Sequence, residues 1–255
     1  MKDAASVEVP ESLVGDKSIS RFLALALTDG QPRARTISFN LDALRRIEGD
    51  GVASFSNLLA WLESRGSVPK LMQLHEPLSD AVAYLRDSGF FATHSPDSRP
   101  PPQRRDTLLP LVRLRHEYTY DWLTTTLRPW LLDRLGIPDQ AMDEIQTCLY
   151  EIFNNIKDHA GVDLGCCFAE WRPSITRLEL TVADFGIGIP GSMREAFPGV
   201  ADELAIAKAV DLGVTSKQAG QVPVATKAFF PGTLVQARFR TDVLTASVSQ
   251  MDDSV

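Results

Sequence analysis

Hydrophobic residues along this chain follow two rhythms, one with a period of two and one with a period near 3.6, and the changes between them mark out its elements. Thr36-Ile37-Ser38-Phe39-Asn40-Leu41 alternates cleanly and predicts a strand, as do Val68 to Leu74 and, more briefly, Val7-Glu8-Val9. Between them, Ile19, Phe22, Leu23, Leu25, Ala26 and Leu27 recur at mostly helical spacing over Ser18 to Thr28 and stop at Gly30. Phe55, Leu58, Leu59 and Leu62 do the same over Val52 to Ser64, stopped by Gly66, and a third helix runs from Leu78 to Leu85 with Gly89 closing it. Strand, helix, strand, helix in this order predicts parallel strands joined by right-handed crossovers.

The rhythm breaks between His94 and Asp106, where Pro96, Pro100, Pro101 and Pro102 stand among charged residues. Proline-dense polar sequence forms neither a helix nor a central strand, so this stretch is expected to be a semi-rigid linker between two domains. The expected division is residues 1–95, a linker over 96–106, a second domain over 107–245 and a frayed polar tail over 246–255.

Beyond the linker, Leu108 to Leu114 predicts a short edge strand, and Glu117 to Leu135 a helix with Trp122, Leu127, Trp130 and Leu131 as its buried stripe. Asp139 caps the next helix, whose apolar face is Ile145, Cys148, Leu149, Ile152, Phe153 and Ile156. Gly165 to Trp171 and Arg177 to Ala183 read as antiparallel strands turning at Pro173. Ala201 to Leu212 reads as a helix, and Thr233 to Arg240 as a last strand with Val235, Ala237 and Phe239 on one face. The fold class expected is α/β in the first domain and α+β in the second.

Composition narrows the function classes. With 44% hydrophobic and 23% charged residues the chain has the make-up of a soluble globular protein. A net charge of −7 gives no overall basic field for nucleic acid or an anionic membrane, and Arg99, Arg104 and Arg105 read as a solvated part of the linker. Three cysteines make no disulfide framework, and neither Cys-x-x-C, Gly-x-Ser-x-Gly nor a P-loop occurs. No stretch approaches the roughly 20 apolar residues of a membrane helix. A cytoplasmic location is the default expectation.

The candidate chemistry lies in Glu151-Ile152-Phe153-Asn154-Asn155-Ile156-Lys157-Asp158-His159-Ala160 and, downstream, Asp184-Phe185-Gly186-Ile187-Gly188-Ile189-Pro190. On a helix, Glu151, Asn155 and His159 stand four residues apart and share a face: a carboxylate, an amide and an imidazole. Leu178, Leu180 and Val182 alternate into the second motif, which breaks on Gly186 and Gly188, glycines that let backbone lie close to a ligand. A planar ring fits there, with Asp184 accepting from an exocyclic amine.

Glu-x-x-x-Asn-x-x-x-His followed by a strand and Asp-x-Gly-x-Gly-Ile-Pro resembles the N box and first glycine box of the GHKL, or Bergerat-fold, ATP-binding domains, which include sensor histidine kinases and anti-sigma-factor kinases. The resemblance implies a sandwich fold that binds ATP with Mg2+. Glu151 would activate a nucleophile or water, Asn155 would ligate magnesium, and Asp184 would read the adenine amine. Gly186 and Gly188 would admit the nucleotide. Gly213-Val214-Thr215-Ser216-Lys217 resembles the start of the ATP lid, with Lys217 as a phosphate contact. Gly232-Thr233 resembles the final box, whose threonine supports the aspartate. His159 matches the end of the N box, and a structural role is open to it equally.

Two departures stand out. Residues 218–231 are too short for the family's second glycine turn and the helix after it, so the lid and last helix are expected to be shortened. Asp158 stands where a lysine or arginine is common in the kinases. The first 95 residues resemble, in pattern, the STAS domain of anti-sigma-factor antagonists. At the phosphoacceptor turn, here Glu48-Gly49-Asp50-Gly51, no serine is present and Asp50 offers a fixed charge; an ordinary acidic turn is the other reading. The implied function is a regulatory ATP-binding protein that turns over ATP or phosphorylates a partner. The alternative is a non-catalytic partner-binding protein that keeps the fold without its phosphate grip, and an unrelated α+β domain that mimics the boxes stays open. Expected partners are ATP or ADP, a regulatory protein and, as an open case, a second copy of the chain.

Overall fold

The computed structural model describes residues 2–72, 74–95, 106–136, 139–159, 162–188, 191–192, 201, 204 and 232–240. In chain order, the first half contains β1 (Lys2–Glu8), β2 (Ser12–Leu13), α1 (Asp16–Ala26), β3 (Leu27–Thr28), β4 (Gln31–Pro32), β5 (Ala34–Asn40), β6 (Arg46–Ile47), α2 (Gly49–Ser64), β7 (Val68–Leu71), α3 (Asp80–Asp87) and α4 (Phe90–His94). After the proline-rich stretch come β8 (Leu108–Arg115), α5 (His116–Trp122), a π turn at Leu123–Leu127, α6 (Arg128–Leu135), α7 (Asp139–His159), β9 (Leu164–Arg172), β10 (Arg177–Asp184) and β11 (Leu234–Arg240). The protein is of mixed α and β structure. Among the described residues no helix is long and apolar enough to cross a membrane.

The first half builds the parallel sheet that its rhythm predicts. β5 lies between β1 and β7, parallel to both. Val7, Ile37 and Phe39 point to one face, where Phe22 of α1 and Phe55 of α2 meet Phe39 edge-to-face at centroid distances of 6.0 and 5.3 Å and each other at 5.0 Å. The second half forms an antiparallel sheet in the order β11-β10-β9-β8, all of it in one ladder with a single irregularity between Leu109 and Val112.

α2 joins the two sheets. Every residue from Gly49 to Leu62 is buried, because the helix is covered on one side by the first sheet and on the other by β9 and β10. An all-round buried helix needs small residues where backbone approaches backbone. Gly49 supplies one: a Cβ there would press on the Phe168 ring and the Thr181 hydroxyl at 3.2 Å. Gly51 supplies another, against the Leu13 carbonyl and Ile47. The turn expected at Glu48 to Gly51 is therefore the first turn of this helix, and it begins three residues before Val52. Asp50 is buried rather than presented, accepting from the Gly15 and Gly51 amides at 2.8 Å each.

One hydrophobic cluster runs from Val7 and Phe39 through α2 to Cys166, Phe168 and Ala183, so it draws on both halves of the chain. A second lies on the opposite face of the antiparallel sheet, where Cys167, Ala169, Leu178, Leu180 and Val182 pack against Leu123, Leu127 and Leu131 and against Met142, Leu149, Phe153 and Ile156 of α7. The small and polar residues alternating with the leucines of β10 thus face α2, not solvent. Glu179 is 3% exposed there and meets Arg238, Arg177 and Arg172 at 2.8, 3.2 and 3.6 Å.

The predicted helix over 117–135 is helical but contains the π turn. Pro129 has no amide to bond the Thr125 carbonyl and its ring crowds that oxygen, which a wider turn relieves. Of the expected stripe, Leu127 and Leu131 are buried, while Trp122 and Trp130 are half-buried, the latter under the Arg134 guanidinium at 4.6 Å. The helix expected over 201–212 and most of the linker lie outside the described residues.

Candidate functional site

The most constrained polar group in the second half is Asp184, the last residue of β10. Leu178, Leu180 and Val182 fix the side of the sheet on which even-numbered residues stand, so the Asp184 side chain lies on the α7 face. It is 1% exposed. One carboxylate oxygen accepts from the Gly186 amide at 2.7 Å and the other from the Thr233 amide at 3.2 Å. Its own amide donates to the Thr233 carbonyl at 2.9 Å, and its carbonyl accepts from the buried Asn57 side chain of α2 at 2.8 Å.

Burial pushes the Asp184 carboxyl up from 3.8 to about 6, against the opposing pull of the Gly186 and Thr233 hydrogen bonds. At neutral pH it is mostly ionised. Each oxygen accepts from a backbone amide, and the Thr233 side chain adds a further hydrogen bond to the carboxylate.

Glycine is obligatory beside it. Gly232 has φ 105°, and a side-chain carbon there would overlap the Asp184 carbonyl. The Gly232-Thr233 pair, separated from Asp184 by nearly fifty residues, is set against it by the pairing of β11 with β10. Gly188, with φ 68°, likewise adopts a left-handed conformation.

α7 is seated directly over this end of the sheet. The register partner of Asp184 is Gly165, and a Cβ on Gly165 would meet Ile156 at 2.9 Å and Phe153 at 3.3 Å. The helix that carries the acid and the amide therefore lies close against the strand pair that carries the aspartate. Glu151 and Asn155 are both half-buried on it.

Two residues that sequence reasoning left out join Glu151. Asn154 donates to its carboxylate at 3.4 Å and accepts from His116, the first residue of α5, at 2.7 Å. With the Asn154 oxygen as acceptor, His116 Nε2 carries the proton. The adjacent pair Asn154-Asn155 was a visible signal; His116 had none, since only the fold brings α5 to α7.

The structure thus brings Asp184, Gly186, Gly232 and Thr233 together, and places Glu151 and Asn155 on the helix above. The His159 side chain, Ile189-Pro190, Lys217 and the segment 218–231 lie outside the described residues. Among the described residues, no group of three His, Cys, Asp or Glu side chains is arranged to hold a metal ion. No protein-family model, curated protein or solved structure matches this chain.

Proposed function

We propose that the chain binds a purine nucleotide, ATP with magnesium, against the end of β10 and beneath α7, and that it is a cytoplasmic regulatory protein of the GHKL type with a STAS-like first half. The observation that carries this reading is the state of Asp184: a buried carboxylate at a strand end, oriented by the Gly186 and Thr233 amides beside a glycine turn. Such a group accepts from an exocyclic amine such as that of adenine. It accepts most strongly when ionised, so affinity falls as pH drops through about 6.

Asn155 would offer its side-chain oxygen on α7 to magnesium, which would supply charge neutralisation at the phosphates. Glu151, oriented through Asn154 by His116, is the carboxylate that would take a proton from an attacking water or hydroxyl.

A second reading is a partner-binding protein that keeps the fold without turnover. Asp158 favours it: it is exposed on α7, three residues after Asn155, and adds negative charge where phosphates would approach. Equilibrium dialysis against ATP with magnesium, and separately ADP, tests the first reading. Binding of either nucleotide supports the site; binding of neither removes the enzyme and leaves the partner-binding protein. Glu151→Ala then separates them, abolishing phosphate release in an enzyme while sparing affinity, and leaving both unchanged in a partner-binding protein.

A further inference from the structure

The first sheet ends in an edge that is built to continue. β1 is an outer strand of the order β1-β5-β7, and among the described residues nothing pairs with its other side. Five of its seven residues, Lys2, Asp3, Ala4, Ser6 and Glu8, are exposed. Soluble proteins guard such edges with proline, a bulge, a short strand or a charge at the centre. β1 has none of these: its pairing with β5 keeps one register from Lys2↔Ala34 to Glu8↔Asn40, and its middle is Ala4-Ala5-Ser6.

The direction of the free backbone groups follows from one hydrogen bond. The Val9 amide donates to the Asn40 carbonyl at 2.8 Å, so odd-numbered residues of this strand turn their amides and carbonyls toward β5. Lys2, Ala4, Ser6 and Glu8 therefore turn theirs outward. An antiparallel partner must set outward residues directly opposite one another to exchange both bonds.

For a second copy of the same strand, the register that uses all four outward residues has its two-fold axis at Ala5. It pairs Lys2 with Glu8 of the other copy and Ala4 with Ser6, each twice. The charges thus select the same register as the hydrogen bonds: both ends of the pairing carry a Lys–Glu couple on the exposed face. The small residues at the axis allow the close approach that an antiparallel pair requires.

We propose that two copies of the chain associate through β1, forming a continuous six-stranded sheet in the order β7-β5-β1-β1-β5-β7 with Lys2 of each copy against Glu8 of the other. The interface is a strand edge and not a broad apolar face, so the dimer is a weak one, with Kd on the order of ten micromolar. It does not depend on the nucleotide site.

Sedimentation equilibrium of the intact chain from about 1 to 200 µM tests this, with three variants. Lys2→Glu and Glu8→Lys each set like charges opposite one another twice per dimer and weaken association at least about tenfold. Mixed in equal amounts, these two variants recover the dimer, because in the hetero-pair both acids of one chain face the lysines of the other. Ala4→Pro removes an outward amide that β5 does not use, so it leaves the fold's own ladder intact and weakens the dimer on the order of a hundredfold. A chain that stays monomeric over the whole range overturns the proposal, as does a dimer indifferent to Ala4→Pro and to the charge reversals. Slow hydrogen exchange at the Ala4 and Ser6 amides in a monomer would mean that another segment of the same chain covers the edge, and overturns it equally.

Discussion

Replacing Asp184 with asparagine should remove a pH dependence of stability that wild type owes to this buried carboxyl. The carboxyl has an ordinary value of 3.8 and is pushed up to about 6 in the fold, with burial as the dominant cause. At about 1.4 kcal/mol per pH unit, the difference amounts to about 3 kcal/mol. Between those two values the folded chain holds a proton that the unfolded chain has released, so stability is greatest below 3.8 and is lost as pH rises through 6.

The asparagine side chain is nearly isosteric with the acid, but its amine has no lone pair for the second backbone amide, so the variant gives up one of the two hydrogen bonds at every pH. On top of that constant cost, the stability of Asp184→Asn relative to wild type should rise by about 2–3 kcal/mol from about pH 4 to pH 7, because only wild type loses stability as its carboxyl ionises. Urea unfolding of both proteins at several pH values reads the difference directly, because every other titrating group cancels. A stability difference between the two proteins that stays constant or falls from about pH 4 to pH 7 would refute the reasoning, since it would mean that the Gly186 and Thr233 hydrogen bonds outweigh burial and that Asp184 is a structural clasp.

Three further outcomes follow from the same geometry. Gly232→Ala should cost more than about 2 kcal/mol of stability in thermal or urea unfolding, from strain at φ 105° and overlap with the Asp184 carbonyl. Asn57→Leu, which leaves the buried Asp184 carbonyl without its donor, should cost about 1–3 kcal/mol and weaken nucleotide binding together with it, measured by unfolding and by dialysis. Alkylation of the native protein followed by mass spectrometry should label Cys148, which is exposed, and spare Cys167 and Cys166, the latter pushed up to about 12 by burial; all three should react in urea.

Much of the fold can be read along the chain because period and burial agree there. β5 and the apolar stripe of α7 carry a one-sided pattern, and the patterns of β5, β9, β10 and α7 place each within a few residues of its observed bounds. α2 shows where this reading stops. Its first turn, Gly49-Asp50-Gly51, has the composition of a loop; it is helical because the close approach of Phe168, Thr181 and Leu13 leaves room only for glycine. Contacts between elements distant along the chain have no local signature.

The same limit applies to Glu179 and Thr181, polar residues alternating with the leucines of β10 that are nonetheless buried, Thr181 against Gly49 of α2. At the candidate site, the aspartate and its glycines are legible as a motif, and the pairing of β11 with β10 sets Thr233 beside them. His116 is not, since its bond to Asn154 crosses thirty-eight residues and depends on how α5 meets α7.

Calorimetric titration of ATP with magnesium into wild type and Asp184→Asn at about pH 7.5 tests the purine site most directly. The account predicts one nucleotide per chain bound by wild type and an affinity at least about a hundredfold lower in the variant, with the variant shown to be folded. Equal binding by the two proteins, or no heat from either ATP or ADP with wild type, would contradict it.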